Sequence, residues 1–266
     1  MRKPNLEDVV AHGSDYPVPQ VAVPDHHDRR RPLTVCLWDA PNMDASLFSV
    51  TGADHHTIVR PQYDAFSRWL VNQRPPSPSK NEPGSPYDVE ALLFLSVVSA
   101  RSTQVAPFVT AARQSGFTVF CRDRDEGDID DAIVAVAGQR LAERNRPGTL
   151  LVCSADQDLA RVAGDPAKAA GWRVIVVAYR ELCGWTEEAG YDFIDPEDIP
   201  NLFPKPLDRF DLSHLPTGGV FAPSLRPLSP GSGTGRSAAA RAPSRADAHM
   251  PSRMILEGMS ACTSRL

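Results

Sequence analysis

Acidic and polar side chains follow two strand-like apolar runs, at the point where each run ends. The first run, Leu33–Trp38, is followed by Asp39 and then by Asn42. The second run, Leu150–Ser154, is followed in the same way by Asp156 and Asp158. In an open parallel sheet, functional groups gather beyond the carboxyl ends of the strands, where the strand order reverses. We therefore expect these side chains to lie close together at one edge of a sheet.

A third acidic cluster lies between the two runs. Asp128, Asp130 and Asp131 open a segment whose apolar residues have helical spacing, so Asp130 should reach the same edge. Carboxylates this close repel one another unless a cation neutralises them. Oxygen ligands favour Mg²⁺ or Mn²⁺ over Zn²⁺, because no His or Cys lies at ligand spacing with these acids. The pattern predicts a site for a hard divalent cation.

A structural role is the alternative for each of these carboxylates. Asp is a favoured N-cap, so Asp128 and Asp156 could simply cap helices. Asp130 and Asp131 could stabilise a helix N-terminus through the helix dipole. Asp39 is harder to explain in this way, because it precedes a Pro-containing turn and heads no obvious helix. The combination of acids at the expected edge favours the metal site.

Strands that alternate with helices must position these acids. Strands are predicted at Leu33–Trp38, Ala91–Val98, Thr118–Cys121, Thr149–Ser154 and Arg173–Ala178. Helices are predicted at Val105–Gln114, over the segment from Ile129 to Leu141, and at Asp158–Ala170. Gly116 and Gly171 lie where a left-handed residue ends a helix. This alternation predicts a single α/β domain of Rossmann-like type: an open, mostly parallel sheet with helices on both faces.

The composition changes outside residues 32–203, which we predict to be the folded domain. Residues 1–31 show no periodic pattern and end in three arginines, which indicates a flexible leader. Residues 204–228 hold scattered aromatic residues and are predicted to pack on the domain as an extension. Residues 229–266 are rich in Gly, Ser, Ala, Arg and Pro, and this composition predicts a disordered tail.

The bulk properties exclude several classes of protein. The net charge of −5 argues against binding nucleic acid through bulk charge, although a local basic rim is compatible with it. The five cysteines form no C-x-x-C pair, which argues against a zinc or disulfide framework. The N-terminus has no apolar signal-peptide core, and no stretch is long enough to span a bilayer. We expect a cytoplasmic protein with no membrane partner, which could form homo-oligomers.

Three motifs together resemble the NYN domain of the PIN-like nuclease superfamily. They are W-D-A-P-N at Trp38–Asn42, I-D-D-A-I at Ile129–Ile133 and S-A-D-Q-D-L at Ser154–Leu159. The likeness spans about residues 33–194 and is greatest to the actinobacterial branch. Ala155 replaces the usual Gly of the family and Leu159 the usual Phe, and neither change removes an acidic residue.

The resemblance implies a PIN-like fold and a Mg²⁺- or Mn²⁺-dependent endoribonuclease, which hydrolyses RNA by metal-activated water. It implies four residues that hold the metal and serve catalysis: Asp39, Asp130, Asp156 and Asp158. Asp130 is preferred to Asp131, because Ile129 matches the apolar residue that precedes this acid in the family. The candidate substrate-binding residues are Asn42, Ser154, Arg122 and Arg124.

The two arginines follow the third predicted strand, near the same edge. Arg matches the geometry of a phosphate in a bidentate way, so Arg122 and Arg124 could meet an RNA backbone. The alternative is a solvated face on which they pair with Asp123 and Asp125. Two other functions stay open. One is a non-catalytic RNA- or protein-binding module with the same fold. The other is a haloacid-dehalogenase-like phosphatase, which expects a second Asp where Pro41 stands.

Overall fold

Six parallel strands form one sheet in the part of the chain that the structure describes. The computed structural model describes residues 31–52, 59–73, 86–98, 100, 102–209 and 217–218. The strands are β1 (Leu33–Asp39), β2 (Asp88–Val97), β3 (Thr118–Asp123), β4 (Thr149–Cys153), β5 (Arg173–Val177) and β6 (Asp192–Ile194). Their order in the sheet is β3-β2-β1-β4-β5-β6, and every neighbouring pair is parallel. The predicted α/β fold with a parallel sheet is confirmed.

Helices connect these strands. In the described part of the chain they are α1 (Ala40–Thr51), α2 (Tyr63–Leu70), α3 (Ser102–Gln114), α4 (Ile129–Glu143), α5 (Gln157–Ala169) and α6 (Thr186–Ala189). The three predicted helices correspond to α3, α4 and α5. Gly116 and Gly171 have φ values of 92° and 81°, and they follow α3 and α5 as predicted. None of the helices in the described ranges is long and apolar enough to cross a bilayer.

The helices bury an apolar core on each face of the sheet. On one face, Cys36 and Trp38 of β1 belong to a core with residues of α1, α2 and α3. On the other face, Leu33, Val35 and Leu37 belong to a core with residues of α4 and α5. Side chains alternate between the two faces along a strand, so Asp39 projects toward the face of α4 and α5. The predicted two-sided cover is confirmed.

The order of the strands in the sheet determines where a ligand site is expected. From β1 the chain builds outward through β2 to β3, and it then returns to β4 on the other side of β1. The strand order therefore reverses between β1 and β4. The crevice beyond the carboxyl ends of two such strands is where open α/β sheets bind ligands.

Four of the described elements were not located in the sequence: α1, α2, α6 and β6. We expected a Pro-broken turn after Asp39, but α1 begins directly after this residue with Pro41 in its first turn. Pro is tolerated there, because the N–H that it lacks has no partner within a helix. β6 is only three residues long, Asp192–Ile194, which is too short to show a strand pattern in sequence.

The chain packs on the domain as far as Arg209. Leu207 is buried in the core of α1, α2 and α3. The Arg209 guanidinium donates to the carboxylates of Asp195, Glu197 and Glu181. The predicted boundary at 203/204 stays a prediction, and the leader to residue 30 and the tail at 229–266 lie outside the described residues.

Candidate functional site

Asp39 is a buried carboxylate at the carboxyl end of β1. Its exposed fraction is 3%. It is also the N-cap of α1, because its Oδ1 accepts a hydrogen bond from the Asn42 backbone N–H at 3.2 Å. The expectation that Asp39 heads no helix is therefore wrong, because Pro41 occupies the first turn of α1, where Pro does not break a helix. A capping role alone does not distinguish this Asp from a neutral cap residue.

The end of β4 supplies the second half of the site. Ser154 is fully buried, and its Oγ donates to Asp39 Oδ2 at 3.0 Å. The Asp156 backbone N–H in turn donates to Ser154 Oγ at 3.2 Å. The two oxygens of Asp39 thus each have one donor, from Asn42 and from Ser154. The carboxylate is fixed between β1 and β4.

Asn42 ties the two loops together. Its Oδ1 accepts from the Ala155 backbone N–H at 2.8 Å, across 113 residues of sequence. Ser46 Oγ donates to the same oxygen at 3.3 Å. Sequence reasoning missed Ser46, which lies four residues after Asn42 and one helical turn away from it. Prediction of α1 would have revealed this pair.

Asp156 caps α5. Its Oδ1 accepts from the backbone N–H groups of Asp158 and Leu159, at 2.8 and 3.0 Å. Asp158 lies in the exposed first turn of α5, and within the described residues no hydrogen bond links its side chain to Asp39. The structure therefore brings Asp156 to the site edge and leaves Asp158 on the solvent side of the same helix end.

Asp130 enters from the N-terminus of α4. Asp128 is the N-cap of this helix, and its Oδ1 accepts from the Asp130 backbone N–H at 3.2 Å. Asp130 is half-buried and its charge acts on Asp39, whereas Asp131 is exposed. Of the two competing acids, Asp130 is the one whose charge raises the pKa of Asp39.

Burial and the neighbouring carboxylates change the pKa of Asp39. Burial raises the pKa of its carboxyl from 3.8 to about 7, and the negative charge of Asp130 is the next largest cause. The hydrogen bonds from Asn42 and Ser154 lower this pKa, and the charge of Asp156 raises it. Asp130 of α4 and Asp156 at the N-cap of α5 are thus both near enough to Asp39 to repel its charge. The fourth predicted acid, Asp158, is not among the groups that shift the pKa of Asp39.

The donor chemistry of the site fits a hard cation. Asp39, Asp130 and Asp156 present carboxylate oxygens, which are the ligands that Mg²⁺ and Mn²⁺ prefer. Among the described residues, however, no three Asp, Glu, His or Cys side chains are grouped closely enough to enclose a metal ion. Mg²⁺ usually keeps several waters and binds one or two carboxylates directly. The arrangement is compatible with an ion of that kind and not with a closed cage of protein ligands.

The predicted phosphate-binding arginines lie at the end of β3. Arg122 Nη1 donates to the Asp128 carbonyl at 2.7 Å, and its guanidinium lies 5.6 Å from the centre of the Phe120 ring. Arg124 is half-buried and begins a short 3-10 turn, Arg124–Glu126. Arg122 is therefore engaged with the loop that leads into α4.

Comparisons with known proteins assign no family to this chain. No family model and no curated protein matches the sequence. A crystal structure of a protein of unknown function from Vibrio parahaemolyticus aligns with 66% of this chain and 99% of its own, at 15% identity and a TM-score of 0.44. A likeness at this level supplies no functional argument, so the case for function depends on the three sequence motifs and the site geometry.

Proposed function

We propose that this chain is a metal-dependent ribonuclease of the NYN type, within the PIN-like superfamily, that hydrolyses phosphodiester bonds of RNA. The observation that carries the proposal is the buried Asp39 carboxylate at the reversal of strand order, beside Asp130 and Asp156. A neutral Ser or Asn would cap α1 about as well as Asp. A buried charge next to two like charges is costly, and such a cost is typical of functional sites.

The acids would hold Mg²⁺ or Mn²⁺ at this edge of the sheet. Asp39, Asp130 and Asp156 face it, and Asp158 could reach it from the first turn of α5. The bound ion would lower the pKa of an attached water, the nucleophile, and offset negative charge on the phosphate.

The chain's own part in the reaction is to hold these oxygens in place. Asn42 and Ser154 each donate to one oxygen of Asp39, so the carboxylate cannot rotate without losing a hydrogen bond. The Ala155–Asn42 hydrogen bond fixes the spacing between the ends of β1 and β4. A site whose ligands are held by a second layer of hydrogen bonds loses less free energy to reorganisation when it binds charge.

A non-catalytic RNA-binding module is the second candidate, and a specific observation favours it. Asp39, Asp128 and Asp156 each accept a backbone N–H as the N-cap of a helix. Their presence is thus accounted for in part without a metal. In this second function, the acids stabilise the loops, and RNA contacts come from other residues.

One experiment separates the two candidates. The full chain is incubated with a mixture of single-stranded and structured RNA, in Mn²⁺ or in EDTA, and the products are resolved on a denaturing gel. The ribonuclease should cleave RNA in Mn²⁺ and not in EDTA. RNA binding without cleavage in either buffer, together with no heat of Mn²⁺ binding in a calorimetric titration, would establish the non-catalytic module.

A further inference from the structure

The loop between β3 and α4 is held in one conformation by contacts of its own residues. Asp123 Oδ1 accepts from the Asp125 backbone N–H at 3.1 Å. Gly127 has φ 130° and ψ −179°, a region that side chains with a Cβ rarely adopt. Asp128 then caps α4 by accepting from the Asp130 backbone N–H. The loop therefore determines where the first turn of α4 lies.

Arg122 closes this loop across its base. Its Nη1 donates to the Asp128 carbonyl, six residues further along the chain, at 2.7 Å. The Phe120 ring supports the guanidinium on the same face of the sheet, and Phe120 itself packs on Phe94 of β2. One end of the contact is thus anchored in the sheet and the other at the N-cap of α4.

The geometry points to Arg122 as a positioning residue that fixes the N-terminus of α4, and with it Asp130, relative to Asp39, rather than as a ligand of the RNA phosphates. Asp130 lies two residues after the carbonyl that Arg122 binds, and its negative charge raises the pKa of Asp39. A shift of the α4 N-terminus would move Asp130 away from the other acids. Displacement of a catalytic group by about 1 Å can lower the reaction rate 10²-fold. Loss of the Arg122–Asp128 hydrogen bond should therefore lower the rate of cleavage. The inference rests on the proposed ribonuclease function for its kinetic consequence.

Two variants of the full chain test the assignment. Arg122→Gln removes the guanidinium, and Gly127→Ala strains the same loop without a change of charge. Arg113→Gln is the matched control, because Arg113 is exposed in the last turn of α3, outside the loop between β3 and α4, and its loss removes the same charge. RNA affinity is measured in EDTA over a salt series, and kcat and KM are measured in Mn²⁺. We expect both loop variants to lower kcat roughly tenfold to a hundredfold, with KM and RNA affinity equal to those of Arg113→Gln.

A phosphate ligand would behave differently. The assignment is overturned if Arg122→Gln weakens RNA binding and reduces the slope of log affinity against log salt concentration by about one, while Gly127→Ala leaves kcat unchanged. It is also overturned if neither variant changes kcat in an active enzyme. Amide hydrogen exchange at Asp130 gives a readout that does not need activity. Faster exchange in Arg122→Gln supports the hydrogen-bonded loop even if the wild type cleaves no RNA, and unchanged exchange refutes it.

Discussion

Asp39→Asn should stabilise the metal-free protein, and the gain should depend on pH. The pKa of Asp39 is raised from 3.8 to about 7. Below about pH 4 the carboxyl is protonated in both the folded and the unfolded chain. As pH rises from about 4 to about 7, the unfolded chain ionises first, so the folded state loses relative stability. Above about pH 7 both states are ionised and the loss is constant.

The magnitude follows from the shift. A raise of about three pKa units corresponds to about 4 kcal/mol of unfolding free energy, at 1.36 kcal/mol per unit. Asn keeps the cap of α1, but its amide group faces the Ser154 hydroxyl, and the altered hydrogen bond costs about 1 kcal/mol. The variant should therefore gain about 3 kcal/mol above neutral pH and be slightly less stable than the wild type near pH 4.

Urea unfolding in EDTA at about pH 4.5, 6 and 8.5 measures the effect across this window. Asp208→Asn is the control, because Asp208 is exposed and its loss should change stability by less than about 0.5 kcal/mol at each pH. A difference between wild type and Asp39→Asn that does not grow with pH would refute the raised pKa. It would also remove the argument that the acids repel one another.

Three further predictions address other parts of the molecule. Asp156→Asn should raise the metal-free melting temperature, because Asn keeps the α5 cap and removes one repelling charge; Asp156→Ala should lack this gain, because loss of the cap costs about 1 kcal/mol. Arg209→Ala should lower the unfolding free energy by about 3 kcal/mol in urea melts, because it leaves the fully buried Asp195 without its main partner, and an unchanged midpoint would contradict this. Removal of residues 229–266 should leave the melting temperature unchanged, since their composition contributes no core, and a fall of several degrees would show that the tail docks.

The sheet could be predicted because its strands carry strong local signals. Leu33–Trp38 and Leu150–Cys153 are almost purely apolar, as strands buried on both faces must be. α1 was not predicted because a proline such as Pro41 is compatible with two structures. Proline disrupts the interior of a helix, but it is favoured in the first turn of one. The three residues of β6 pair only at the edge of an existing sheet, and no local pattern marks such a strand.

The site could be predicted in part. The acids at the ends of β1 and β4 were expected to meet, because the carboxyl ends of parallel strands share one edge. The contacts that hold them could not be predicted, since Ser154–Asp39 and Ala155–Asn42 depend on the register between β1 and β4. The partner of Arg122 is likewise a backbone carbonyl, which sequence patterns do not mark.

The most direct test of the ribonuclease proposal is the RNA cleavage rate as a function of Mn²⁺ concentration. Wild type, Asp39→Asn and Asp208→Asn are compared under single-turnover conditions. We predict that cleavage saturates with Mn²⁺ in wild type and Asp208→Asn and falls to the EDTA background in Asp39→Asn, while all three bind RNA alike in EDTA. Equal cleavage by wild type and Asp39→Asn, or cleavage that persists in EDTA, would contradict the assignment of these acids to a catalytic metal site.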